Sequence, residues 1–107
     1  MLGVTYGELG QSQEAIKACK QAIRIDPDFA IVHFFMGFTY GELGQSQEAI
    51  KAYKQAIRID PDDADAHYNL GGAYSIIEDT SSALNEYKIL KTLDIELANK
   101  LFNLIYQ

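Results

Sequence analysis

Thr39–Asp62, TYGELGQSQEAIKAYKQAIRIDPD, is a second copy of Thr5–Asp28, with one change: Cys19 stands where the later copy has Tyr53. The offset is 34 residues, from Tyr6 to Tyr40. A fixed period between about 20 and 50 residues marks a repeat architecture, in which each unit is one supersecondary element that buries its apolar face only when a neighbour stacks on it. The chain is therefore read as an array, and arrays present extended binding surfaces.

The same offset relates His33, Met36, Gly37, Tyr40, Ala49 and Tyr53 to His67, Leu70, Gly71, Tyr74, Ala83 and Tyr87. With Pro61 after the second helix, this pattern resembles the tetratricopeptide repeat, whose signature is an aromatic, a Leu-Gly pair and a Tyr on one helix, then Ala, an aromatic and Pro on and after the next. His33 and His67 replace the usual Trp. In the last repeat Glu78 stands for Gly10 and Gly44, Leu90 for Ala22 and Ala56, and Ile95 for Pro27 and Pro61. An array becomes atypical where it caps itself, so these changes bear on local turns and not on the fold.

The expected fold is all-α: a right-handed superhelical array of antiparallel helix pairs, handedness following from the resemblance. A single domain spans 1–107, with a truncated repeat one at 1–29, repeat two at 30–63, repeat three at 64–97 and a capping helix at about 96–106. In repeat one the Gly7 to Gly10 region is expected to break a short first helix, with Ser12 capping the second. Asp26-Pro27-Asp28 ends that helix, and Asp28 is expected to cap the next. This reading gives seven helices, the last carrying Leu101 and Leu104 at the positions of His67 and Leu70. No stretch alternates with period two over the length of a strand.

The 107 residues are 48% apolar and 22% charged, an ordinary balance for one globular domain. No apolar run approaches the ~18 residues of a membrane span, and no signal-peptide pattern follows Met1, so no membrane association is expected and the expected compartment is cytoplasmic. The net charge of −6 disfavours nucleic acid, whose binding rests on Lys and Arg against phosphates. Eight of the nine cations (all but Lys100) fall on second helices, a pattern expected of a solvated outer face. The single Cys19 rules out an internal disulfide and takes the place of Tyr53 as a small packed residue.

The residues offer no reaction centre. His33 and His67 are repeat-equivalent packing residues, too far apart in the array to share a metal. Asp60, Asp62, Asp63 and Asp65 lack the terminal Glu of a calcium loop and are read as turn and capping residues. The YGELG glycines sit at helix ends rather than between a strand and a helix, so they form turns and not a phosphate cradle. The expectation is a non-enzyme with no cofactor and no metal.

One constellation points to a partner. On the helix from Ala30, the set His33, Met36, Gly37 and Tyr40 shares one face, while Ile31, Phe34, Phe35 and Phe38 lie about 160° round the same helix. A surface helix is not expected to be apolar on two opposite faces. In the family, first helices line the concave surface, which would place Ile31, Phe34, Phe35 and Phe38, with Tyr68 and Asn69 of repeat three, in a groove. Some family members grip a C-terminal carboxylate with Lys, Arg and Asn on first helices. Here the corresponding positions offer Phe35, Asp65 and Asn69, too little for such a clamp.

The chain is thus expected to be a non-catalytic interaction scaffold for a peptide or a helix, an apolar segment with basic flanks fitting an acidic, aromatic groove. The alternative is a self-assembling homo-oligomer, joined through the apolar face of that central helix or through the N-terminal end of the stack. The near-identity of the two copies implies recent duplication or deliberate engineering.

Overall fold

The computed structural model describes residues 6–107, with side chains from residue 9 onward. Six helices follow one another: α1 (Tyr6–Ile25), α2 (Ala30–Glu42), α3 (Ser46–Ile59), α4 (Ala64–Ile76), α5 (Thr80–Leu93) and α6 (Ile95–Ile105). No strand occurs among the described residues. Each helix packs on the next in sequence, with further contacts of α4 against α6 and of α2 against α4, so that pairs stack side by side as in a superhelical array.

The turns inside the pairs are the same object twice. In repeat two the Gly44 N–H donates to Gly41 O at 3.0 Å and the Gln45 N–H to Tyr40 O at 2.9 Å. In repeat three the Glu78 N–H donates to Ser75 O at 3.1 Å and the Asp79 N–H to Tyr74 O at 2.9 Å. This paired pattern needs a left-handed residue just past the helix, and Gly44 (φ 75°) and Glu78 (φ 62°) supply it. Glu78 thus takes the glycine conformation without being glycine. The next residue offsets some of the strain: Asp79 caps α5, accepting from the Ser82 N–H at 3.2 Å and the Ser82 hydroxyl at 2.7 Å. Gln45, its counterpart, makes no side-chain cap.

Repeat one departs from the expected pair. The string that turns at Gly44 in repeat two runs as one helix through Gly10 in α1, so neither the break at Gly7 to Gly10 nor a cap by Ser12 is present and the helices number six, not seven, among the described residues. A glycine inside a helix costs only about 1 kcal/mol. The turn wins where it brings two helices into contact, as α2 meets α3, whereas the described packing partner of α1 is α2 alone. Any expectation for residues 1–5 lies outside the described residues.

The connections correct the capping roles. The N-cap of α2 is Phe29, without a side-chain bond, and Asp28 instead accepts from Arg58 at 3.1 Å. Asp63 does cap α4, accepting from the Ala66 N–H at 3.3 Å. With Ile95 in place of proline, α5 and α6 are joined by Asp94 alone, which accepts from the Leu97 N–H at 3.1 Å. The shortened joint lays α6 across the last pair, where Leu90, Ala98 and Leu101 are fully buried in one cluster. A second cluster, Ala49, Ile50, Tyr53, Leu70 and Ala73, holds α3 to α4.

Candidate functional site

α2 is apolar on two opposite faces, and the structure sorts the second of them into two groups. Phe34 turns inward at the edge of the core, its ring edge-on to Tyr53 with centroids 5.7 Å apart. Ile31, Phe35 and Phe38, at i, i+4 and i+7, remain in solvent with 61%, 51% and 48% of their surface exposed. Burial of a phenylalanine removes at least ~150 Å² from water, so the exposed stripe is a large apolar surface for a chain of this size.

Beside that stripe a depression of about 540 Å³ opens between α2 and α4. Phe38 and Glu42 form its α2 wall, and Tyr68, Asn69 and Ile76 its α4 wall. Ala49 and Tyr53 of α3 form the floor, and Leu104 and Gln107 at the end of α6 close one side. The depression exists because repeat three carries Gly72 where repeat two carries Phe38; a Cβ at Gly72 would meet no atom within 4 Å. Of the expected partner-binding residues, Phe38, Tyr68 and Asn69 come together here. Ile31 and Phe35 lie outside its lining, and Phe34 is committed to packing.

Glu42, Tyr53, Ile76, Leu104 and Gln107 were not among the sequence-derived candidates. Of these, Tyr53 belongs to α3, the second helix of repeat two, and borders the groove at its floor. The exchange of Phe38 for Gly72 at one repeat position was the signal that could have shown the depression.

The site's electrostatics are simple. Neither α2 nor α4 contains a Lys or Arg, and the one charged side chain lining the depression is Glu42. Burial pushes the Tyr53 hydroxyl up to about 12, against a lowering by the neighbouring Asn69 side chain, and Glu42 raises it further. Tyr53 is therefore a neutral phenol at physiological pH, able to donate or accept one hydrogen bond at the floor. The cations stand elsewhere: Lys17 and Lys20 lie on α1 and Lys51, Lys54 and Arg58 on α3, with Lys54 Nζ 5.9 Å from the Tyr74 ring centre.

The two histidines are buried, 6% and 4% exposed, and each Nε2–H donates to the carbonyl of a turn proline: His33 to Pro27 at 2.9 Å and His67 to Pro61 at 2.7 Å. They tie each first helix to the turn before it. His67 has a further partner that the sequence reading missed, Glu86, whose Oε1 lies 2.6 Å from Nδ1. Among the described residues no group of three or more His, Cys, Asp and Glu is placed to hold a metal ion. Cys19 is buried, and burial raises its thiol above the ordinary range, away from nucleophilic reactivity. No helix among the described residues is long and apolar enough to cross a membrane.

Antiparallel helix pairs repeating every 34 residues, stacked so that first helices share a groove, define a helical-repeat array. A family model described as TPR repeat matches residues 3–44 and 39–75, and the chain belongs to that family. Among solved structures it is similar to MamA (25% identity, TM-score 0.81), with 94% of this chain and 63% of that one covered. It is similar to the same degree to a thermophilic TPR protein of Thermus thermophilus (25% identity, TM-score 0.80), covering 94% of this chain and 53% of that one. The chain thus spans less than two thirds of either protein. The first TPR domain of Spaghetti, bound to an Hsp90 peptide of sequence SRMEEVD, shares the fold at 20% identity and TM-score 0.80, with 92% and 81% covered. A comparison with curated protein sequences finds no match.

Proposed function

We propose that residues 1–107 act as one non-catalytic interaction domain that holds a peptide or helix of a partner protein in the depression between α2 and α4. The observation that carries this reading is the open, aromatic-walled depression of about 540 Å³, continuous on α2 with an exposed apolar stripe. Phe38 and Tyr68 supply apolar contact area, and Asn69 supplies a donor and an acceptor for a peptide backbone.

The chemistry of the walls selects the ligand. The peptide SRMEEVD held by the Spaghetti domain carries two glutamates and an aspartate, and carboxylates of this kind pair best with Lys and Arg. Here α2 and α4 carry none and Glu42 faces the depression. The fitting ligand is an apolar segment flanked by Lys or Arg. Calorimetric titration with two synthetic peptides tests this, one with an apolar centre and lysine flanks and one of sequence SRMEEVD. The basic peptide is expected to bind, Phe38→Ala to weaken it about tenfold, and SRMEEVD to bind more weakly. Preference for the acidic peptide, or no effect of Phe38→Ala, contradicts the reading.

A second reading is favoured by Ile31, Phe35 and Phe38, which are exposed together and form a self-complementary stripe: two copies meet across a two-fold axis through α2. Sedimentation over a micromolar to millimolar series separates it from the first, a monomer throughout arguing against it.

A further inference from the structure

Repeats two and three treat the same histidine differently. His67 is satisfied at both nitrogens, by Pro61 O and by Glu86. The repeat position of Glu86 is held in repeat two by Ala52, and the buried Nδ1 of His33 has no hydrogen-bond partner among the described residues. A polar atom left bare in the interior costs on the order of 1–3 kcal/mol and asks what completes it.

A pocket of about 260 Å³ adjoins that position, lined by His33 and Ala52 themselves. Lys20 of α1 and Lys51 of α3 stand at it as exposed cations, and Ile23 and Met36 give it an apolar wall. Glu48 is the one anion among its lining residues, and Tyr40 the other titratable group. It shares no lining residue with the depression between α2 and α4.

We propose that this pocket binds a small organic carboxylate, which takes at His33 the place that the Glu86 carboxylate takes at His67. The His33 Nε2–H is already given to Pro27 O, so one proton from solvent accompanies the anion into the pocket and is held between its oxygen and Nδ1, which leaves both ring nitrogens donating. Lys20 and Lys51 attract the charge, and a short alkyl tail lies against Ile23 and Met36. Nδ1 is closed from solvent in the empty pocket, so entry requires a side chain of the wall to swing aside; Met36, unbranched with three rotatable bonds, is suited to this.

The test is titration with sodium formate and sodium butyrate against sodium chloride of equal ionic strength, followed by NMR of the imidazole nitrogens. The His33 signals are expected to move saturably toward the imidazolium pattern while those of His67 stay fixed, with butyrate binding more tightly than formate. Ala52→Glu fills the seat from within, so its His33 signals should start in the shifted position and ignore both anions, the His67 signals reporting an intact fold. Should that variant fail to fold, the double change Lys20→Gln and Lys51→Gln, on exposed residues, is expected to weaken both anions at least about threefold. A His33 signal indifferent to both anions means that water alone completes Nδ1 and overturns the proposal, as does equal movement of both histidines or undiminished affinity in the lysine variant.

Discussion

Glu78 and Gly44, one repeat apart, share the left-handed backbone conformation, with φ of 62° and 75°. An L side chain in this region crowds its own carbonyl, at about 1–2 kcal/mol. Glu78→Gly relieves that strain while loosening the unfolded chain, and the net expectation is stabilisation of up to about 1 kcal/mol. Gly44→Ala should destabilise by about 1–2 kcal/mol. Urea midpoints with unchanged slope check both, and a lower midpoint for Glu78→Gly would mean that the glutamate side chain adds more than its backbone strain removes.

The equivalence of those two turns explains how much of the fold could be read in the sequence. Period and helix pairs followed from residue type: α2 and α3 make the pair expected of repeat two. Repeat one did not follow, because the same string is helix-turn-helix across α2 and α3 and one continuous helix in α1. Local sequence permits both, and packing selects. The site was half legible for the same reason. An apolar face on α2 is a property of sequence, but which of Phe34 and Phe38 meets the core depends on Tyr53 and Gly72, residues of other helices.

Gly37 and Gly72 are predicted to respond oppositely to the same substitution. A methyl on Gly37 would stand 2.8 Å from two atoms of the buried Tyr53 ring, so Gly37→Ala forces the pair apart at about 1–3 kcal/mol in spite of alanine's better helix propensity. Gly72 faces open space, and Gly72→Ala should gain up to about 1 kcal/mol. The added methyl also narrows the depression, so the basic peptide should bind Gly72→Ala less tightly. Thermal denaturation and peptide titration of the two variants test the pair together.

Tyr53 gives a prediction in alkali. Its folded hydroxyl ionises at about 12 against the ordinary 10.0 of a tyrosine, so between those values the unfolded chain releases a proton that the folded chain retains. Stability from this group is intact below pH 10 and falls as pH rises through the window, by about 2–3 kcal/mol in all. Tyr53→Phe removes this share of the loss. The stability difference between wild type and variant should therefore shift in favour of the variant with rising pH, measured by denaturant midpoints at several values between about 10 and 12. Parallel curves would show that the hydroxyl ionises in the folded state as easily as in the unfolded one.

Phe34 and Phe35 are neighbours in sequence with opposite duties, and they decide how the exposed face must be probed. Phe34 meets Tyr53 edge-on at 5.7 Å and packs on the cluster that joins α3 to α4. Phe34→Ala therefore removes core contacts and should cost about 2–4 kcal/mol, somewhat less than a fully buried ring. Phe35 is half exposed, so Phe35→Asn should alter stability by only about 0.5 kcal/mol. A loss of self-association or of peptide binding in a Phe34 variant would be ambiguous, since an unfolding chain loses both. Phe35→Asn with Ile31→Ser leaves the core and the lining of the depression untouched, and it should abolish any dimer built on the stripe while retaining the affinity for a basic peptide. Sedimentation and calorimetry on that variant separate the two surfaces: loss of peptide binding with the monomer intact would place the ligand along Ile31 and Phe35 instead of between α2 and α4.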